Sequence, residues 1–157
     1  MLDNLNELVS NTLHQTQNTQ IKEGMDISLC SLDTKNMKLE FAGAYNSLFI
    51  VRNKKLIESK GNRFSIGSKH YRGDKKYDNH IIDIQKGDMI YLTTDGYLDQ
   101  FGGEDSNKYM VYQFRKLILS IADKDSITQK EIITNTFNEW KDDEDQIDDV
   151  CVFGVRV

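Results

Sequence analysis

Two sets of carboxylates stand where this chain could use them for chemistry. Met89-Ile90-Tyr91-Leu92-Thr93-Thr94 is rich in apolar, aromatic and β-branched residues and runs directly into Asp95-Gly96. The pattern predicts a strand that delivers a carboxylate at its tip, with glycine allowing the backbone to turn sharply. Asp148-Asp149 immediately precedes Val150-Cys151-Val152-Phe153-Gly154-Val155-Arg156-Val157, a second apolar strand with an acidic end. Carboxylates at such a boundary are costly to bury unless a cation or hydrogen-bond donors compensate them. Hard divalent cations favour oxygen clusters of this kind. Asp99, four residues after Asp95, can face the same cavity.

Weaker candidates divide on context. Asp-Gly alone is an ordinary turn dipeptide, so its position after a buried-type strand carries the signal. The run Asp142-Asp143-Glu144-Asp145 reads as a solvated acidic loop. An EF-hand fails because Ile147 sits where an oxygen ligand is required. Asp26 reads as an exposed residue on an alternating strand rather than a ligand. His14, His70 and His80 show no metal-ligand spacing. No nucleophile elbow surrounds Ser28, Ser47 or Ser65, and no glycine-rich phosphate loop is present.

The elements that must position these residues follow from periodicity. Leu2, Leu5, Leu8, Val9, Thr12 and Leu13 form one face of an N-terminal helix, and the polar stretch from His14 to Gln20 follows as a loop. Met25 to Leu32 and Met37 to Gly43 read as a hairpin around Asp33-Thr34-Lys35-Asn36. Leu48 to Val51 and Lys55 to Ser59 read as strands around Asn53-Lys54. Gly61 to Tyr77 reads as a long surface loop with Phe64, Ile66 and Gly67 as its core-like residues. His80 to Ile84 and Met89 to Thr94 are expected to form a further hairpin, followed by a segment from Tyr97 to Gly103 that is neither tight hairpin nor helix. Helices are expected over Tyr109 to Ala122 and Thr128 to Trp140, the second opened by a Thr128–Glu131 capping box. Strands, then helices, then one more strand indicate an α+β fold with mainly antiparallel sheets.

Composition narrows the function classes. The chain has 157 residues and 38% hydrophobic side chains, enough for one domain with a real core, 1–157, in which 1–20 form the N-terminal helix and loop. Its net charge is -5 with lysine and arginine scattered, which argues against nucleic-acid or anionic-membrane partners. No apolar run approaches a membrane span and no signal-peptide pattern opens the chain, so the expected location is cytoplasmic. The two cysteines, Cys30 and Cys151, are expected to be reduced core thiols.

Taken in order, Glu23-Gly24-Met25-Asp26-Ile27-Ser28-Leu29-Cys30, Phe41-Ala42-Gly43-Ala44-Tyr45-Asn46-Ser47-Leu48, Phe64-Ser65-Ile66-Gly67, Thr94-Asp95-Gly96-Tyr97-Leu98-Asp99 and Asp148-Asp149-Val150 resemble the later motifs of the SpoIIE branch of bacterial metal-dependent serine/threonine phosphatases. These enzymes are relatives of protein phosphatase 2C within the PPM superfamily. The resemblance runs from about Ile21 to Val157.

It implies an α-β-β-α sandwich, here a partial one, with Mn²⁺ or Mg²⁺ at one edge and a metal-activated water attacking phosphoserine or phosphothreonine directly. Carried over by motif, Asp95 is a metal ligand, Asp148 its companion with Asp149 as the alternative register, and Asp99 serves an additional, weaker metal. Gly96 allows the close turn. Ala42-Gly43-Ala44-Tyr45-Asn46 departs from the Ala-Gly-His-Asn form of the branch, which leaves Asn46 a structural role near the site. The earlier motifs of the family, a Gly-Asp with a further Asp and an Asp shortly before Gly-His-Gly, have no equivalent in this chain.

The expectation is therefore the C-terminal part of a phosphatase domain with about half of a two-metal site, inactive alone and joined in a longer chain to a sensory or regulatory domain. Its expected substrate is a phosphorylated regulatory protein, such as an anti-sigma-factor antagonist. The alternative is a non-catalytic interaction module. Unpaired sheet edges further suggest that two copies associate as a homodimer.

Overall fold

A computed structural model describes residues 1–14, 24–67 and 76–157. The chain begins with α1 (Leu2–His14), then β1 (Ile27–Asp33), β2 (Lys38–Ala44), β3 (Leu48–Arg52), β4 (Lys55–Ser59), β5 (His80–Asp83) and β6 (Met89–Thr93). It continues with a short α2 (Asp95–Asp99), the two-residue strands β7 (Phe101–Gly102) and β8 (Asn107–Lys108), α3 (Val111–Ile121), α4 (Ser126–Lys141) and β9 (Val152–Arg156). Two compact units result, one from 1–48 with 58–85 and the other from 49–57 with 86–157.

In the first unit β1, β2 and β5 form an antiparallel sheet in that order. The β1–β2 hairpin is the one expected, and its turn is held by Asp33, whose carboxylate accepts from Lys35 N–H (3.0 Å) and Asn36 N–H (2.9 Å). Those donors, Asn36 first, hold the Asp33 carboxyl below its ordinary value. The core joins Leu2, Ala42, Ala44, Phe64, Ile66 and Tyr77, with Leu5 and Val9 of α1 against it. Leu8 departs from the expected face and is 66% exposed. The described ends of the 61–77 stretch, 61–67 and 76–77, are less of a surface loop than its polarity suggests. Ile66 exchanges backbone hydrogen bonds with Met25, and Tyr77, packed at a tilt against Phe64 with ring centres 4.5 Å apart, is buried as well. Of the expected loop from His14 to Gln20, His14 instead closes α1, and 15–20, like His70, lie outside the described residues.

The second sheet has the order β4-β3-β6-β9, with β6 and β9 antiparallel. β5 and β6 therefore do not form the expected hairpin. They lie in different sheets, β5 on β2 and β6 beside β3 and β9, and an alternating pattern on both sides of a turn cannot tell these pairings apart. In the second unit, helices α3 and α4 and the β6–β9 ladder share a core of Phe49, Tyr91, Tyr97, Phe114, Ile118 and Phe137. Tyr97 contacts Phe114 (5.4 Å), Tyr109 (5.2 Å) and Phe137 (5.1 Å). Arg52 and Asp88, the latter 1% exposed, form a two-point ion pair of 2.9 and 2.6 Å beside this core.

Three sequence expectations change here. Asp95–Asp99 is a helical turn, followed by the small β7–β8 hairpin, where no regular structure was expected. Helix α3 begins at Val111 rather than Tyr109, because Met110 has φ 70° and gives its N–H to Leu98 C=O at 2.7 Å. The capping-box boundary also moves. Helix α4 starts at Ser126 with Asp125 as N-cap, accepting from the N–H groups of Ile127 and Thr128 (both 3.0 Å) and from the Thr128 hydroxyl (2.7 Å). An ionised carboxylate is the stronger acceptor, so Thr128 becomes a donor to the cap instead of being the cap.

The hydroxyl and backbone N–H of Thr128 hold the Asp125 carboxyl below its ordinary value of 3.8. A lowered value in the folded state contributes stability that is full above the unfolded value and lost as pH falls through the folded one. Asp125→Ala is expected to lower the urea midpoint at pH 7, and the gap from the parent protein should close below pH 3.8; urea titrations across pH check this.

Candidate functional site

Strand β6 carries buried Met89, Ile90 and Tyr91 and ends at Thr93. Thr94 is the N-cap of α2, and Asp95 is the first helical residue. The β6–β9 ladder pairs Thr93 with Val152, and the chain before β9 is Asp148-Asp149-Val150-Cys151. Thr94 N–H donates to Cys151 C=O at 3.0 Å. The next bond of the ladder changes character. Cys151 N–H donates to Thr94 Oγ1 (2.9 Å), and the same hydroxyl donates to Asp149 C=O (2.9 Å). Thr93 Oγ1 adds a bond to Cys151 C=O at 3.1 Å. The two strand tips expected from the sequence are thus brought together, and both are tied through hydroxyls.

Gly96 is required by this closeness. A Cβ there would stand 2.4 Å from Asp149 C=O, inside any tolerable contact, so only glycine lets the start of α2 lie against the 148–149 backbone. Asp95, Asp148 and Asp149 are all exposed. Asp148 Oδ1 accepts Asp149 N–H at 2.7 Å, and Asp148 C=O accepts from Gln146 at 2.8 Å. Asp99 has a different setting. It pairs with Lys108 at 2.8 Å, so a cation from the following β7–β8 hairpin already compensates it.

Asn46 and Asp26 belong to the first unit. Asn46 N–H closes a three-residue turn onto Ala44 C=O (2.7 Å), centred on Tyr45 with φ 60°. Asn62 pins the turn by accepting Tyr45 N–H (2.7 Å) and donating to Gly43 C=O (2.8 Å). A non-glycine residue in this conformation is strained and persists only where its surroundings impose it. Asp26 is exposed, as expected, but it precedes β1 rather than lying on an alternating strand, and it accepts the Ser65 hydroxyl.

The cysteines divide. Cys30 is partly buried, and burial pushes its thiol up to about 11, whereas Cys151 is exposed, contrary to the core reading of both. Cys151 lies just before β9, next to the exposed run that carries the two aspartates.

Residue types alone did not single out three supports. Thr94 could have been noticed as a capping residue before Asp-Gly. Gln100 is fully buried and donates to Asp145 C=O at 2.9 Å, which anchors the acidic loop to the segment after Asp95. Trp140 donates from Nε1 to Gln100 C=O at 3.0 Å and accepts Gly103 N–H at 2.9 Å. A buried glutamine in a polar sequence leaves no periodic signature. A cavity of about 590 Å³ in this unit lies beneath α4 among Tyr91, Tyr97, Gln129, Ile133, Phe137 and Val152. No carboxylate lines it, and neither Asp95 nor Asp148-Asp149 borders it.

Hard carboxylate oxygens at these tips suit Mn²⁺ or Mg²⁺ by donor type. Among the described residues, however, no three His, Cys, Asp or Glu side chains gather closely enough to hold a metal ion. By donor type the carboxylates fit such a cation.

Fold and sheet pairing define a protein phosphatase 2C-like α+β protein. The chain belongs to the stage II sporulation protein E (SpoIIE) family, whose model matches residues 1–157. It is similar to the SiaA-PP2C domain of Pseudomonas aeruginosa, with 28% identity and a TM-score of 0.83 over 94% of this chain and 57% of that one. The SpoIIE phosphatase domain of Bacillus subtilis shares the fold at 12% identity and a TM-score of 0.62, over 99% of this chain and 73% of that one. So do the RsbU and RsbW domains of Rv1364c from Mycobacterium tuberculosis, at 17% identity and a TM-score of 0.67, over 96% of this chain and 40% of that one. The chain therefore spans a little over half of the SiaA domain's length. No curated protein sequence matches it. Among the described residues no helix is long and apolar enough to cross a membrane.

Gly96→Ala is expected to force the 148–149 backbone away from α2 and to destabilise the protein by about 1–3 kcal/mol, the usual cost of overpacking. Urea unfolding, with amide chemical-shift changes concentrated at Asp148 to Cys151, is the check.

Proposed function

We propose that this chain is the C-terminal part of a metal-dependent protein serine/threonine phosphatase domain that acts on phosphoserine or phosphothreonine in a bacterial regulatory protein. The observation that carries the reading is the joined pair of acidic strand tips, Asp95 at the end of β6 and Asp148-Asp149 before β9, tied by Thr94 and made close by Gly96. It is supported by membership of the SpoIIE family over the whole chain and by likeness to the SiaA-PP2C domain.

In this reading Asp95 and Asp148 hold Mn²⁺ or Mg²⁺, with Asp149 the alternative to Asp148. When bound, such cations neutralise phosphoryl charge and activate water for direct attack. The chain's own contribution is to hold two carboxylates at one spacing. Gly96 brings α2 onto the 148–149 backbone, Gln100 and Trp140 brace the acidic loop, and Asn46 shapes a turn in the first unit. Asp99 is assigned the weaker, additional metal, for which it must leave Lys108. The enzyme's partners are a phosphorylated cytoplasmic protein, such as an anti-sigma-factor antagonist, and a regulatory domain in a longer chain.

A partial shell implies that the 157-residue chain alone hydrolyses a phosphate ester slowly or not at all with Mn²⁺. A longer chain that carries the Gly-Asp and Gly-His-Gly motifs is expected to be active, and Asp95→Asn in it should reduce the Mn²⁺-dependent rate more than about 100-fold, beyond the range for residues that merely support a ligand. Assays of p-nitrophenyl phosphate hydrolysis with and without Mn²⁺ decide this. Rapid Mn²⁺-dependent hydrolysis by the short chain would overturn the partial-shell reading, and an inactive longer chain would favour a protein-interaction module instead.

A further inference from the structure

A threonine at a helix N-cap ordinarily turns its hydroxyl onto the first amides of its own helix. Thr94 does not. It has the extended backbone of an N-cap, φ -77° and ψ 163°, yet makes no side-chain cap bond to α2. Its hydroxyl is used instead across the strands, accepting Cys151 N–H and donating to Asp149 C=O, both at 2.9 Å. A hydroxyl has one donor and two acceptor sites, so the donor and one acceptor site serve this crossing.

The reason lies in the geometry of a strand that turns into a helix. Beyond Thr93 the backbone leaves the ladder, and the Thr94 carbonyl no longer points at β9. The hydroxyl replaces that carbonyl as the acceptor for Cys151 N–H, which continues the pairing by one more bond. Its own proton then reaches the carbonyl of Asp149. One oxygen atom is thus bonded on both sides of Val150, on a residue adjacent to Asp95. Neither bond is needed to form β6 or β9, whose register from Thr93–Val152 to Met89–Arg156 is set by backbone pairing.

We propose that Thr94 is a positioning residue that sets the separation of Asp95 from the Asp148-Asp149 pair through its hydroxyl, and thereby the affinity of the site for a divalent cation. The assignment rests on the metal-binding reading given above. It is distinct from a general role in stability, because the isosteric Thr94→Val keeps the methyl packing and removes only the hydroxyl, whereas Thr94→Ser keeps the hydroxyl and removes the methyl.

The test uses the 157-residue chain with two readouts, amide hydrogen exchange and Mn²⁺ titration followed by paramagnetic broadening of the amide signals of residues 95–97 and 148–150. In Thr94→Val, Cys151 N–H is expected to lose exchange protection and Mn²⁺ affinity to fall about 10- to 100-fold, the range for loss of a residue that orients a ligand. Thr94→Ser should restore both. Unchanged Mn²⁺ affinity in Thr94→Val, with broadening still abolished by Asp95→Asn, would overturn the positioning role and leave the metal reading intact. Broadening that is missing in the parent chain, or indifferent to Asp95→Asn, would overturn the metal reading and the positioning role with it. If Thr94→Val does not fold, Thr94→Ser decides: parent-like affinity supports the hydroxyl's role, and a folded Thr94→Ser with weakened affinity overturns it.

Discussion

In the second unit the antiparallel pairing of β6 with β9 is the constraint on which the acidic cluster depends. Backbone hydrogen bonds set the register from Met89–Arg156 to Thr93–Val152, and a ladder of this kind places residues opposite one another with little freedom. Where β6 turns into α2 the backbone can no longer continue the ladder, and a side-chain hydroxyl extends it by one further bond. The carboxylates lie at this transition. Regular structure ends there, and side chains can turn outward without breaking the sheet.

The buried aromatic cluster holds that transition from behind. Tyr97, the third residue of α2, is enclosed by Tyr109, Phe114 and Phe137 and donates its hydroxyl to Ile133 C=O at 3.0 Å. Burial pushes its phenol well above the ordinary value, so it stays neutral and a donor. Burying one such ring stabilises by roughly 1.5–3 kcal/mol, enough to hold a five-residue helix that would not persist alone. Asp95 is therefore exposed on a turn whose other face is locked. Rigid support beneath an exposed ligand keeps its carboxylate in one place before a cation arrives.

Electrostatics divide the acidic residues into separate groups. Asp88 is buried against Arg52, Asp99 is paired with Lys108, and Asp125 is engaged as a helix cap. Asp95 and Asp149 differ, since neither carboxylate has a hydrogen-bond or ion-pair partner among the described residues. Among the chain's 25 acidic residues these two are set apart by lying at the joined strand tips.

Much of this was legible in the sequence. The β1–β2 hairpin, the strands on either side of Asn53-Lys54 and the three longer helices follow from apolar periodicity and turn chemistry, because both act over a few residues. Motif order carried the family, and the Asp-Gly and Asp-Asp motifs located the acidic strand tips. What required the tertiary structure was every choice among long-range partners. β5 joins β2 rather than β6, Asp125 displaces Thr128 as the cap, Cys151 faces outward, and Gln100 is buried in order to hold a loop 45 residues away. Local patterns state which faces must be covered and where the backbone turns. They do not state which of several compatible strands or donors will be near, and that proximity turned Thr94 from a capping residue into a cross-strand tie.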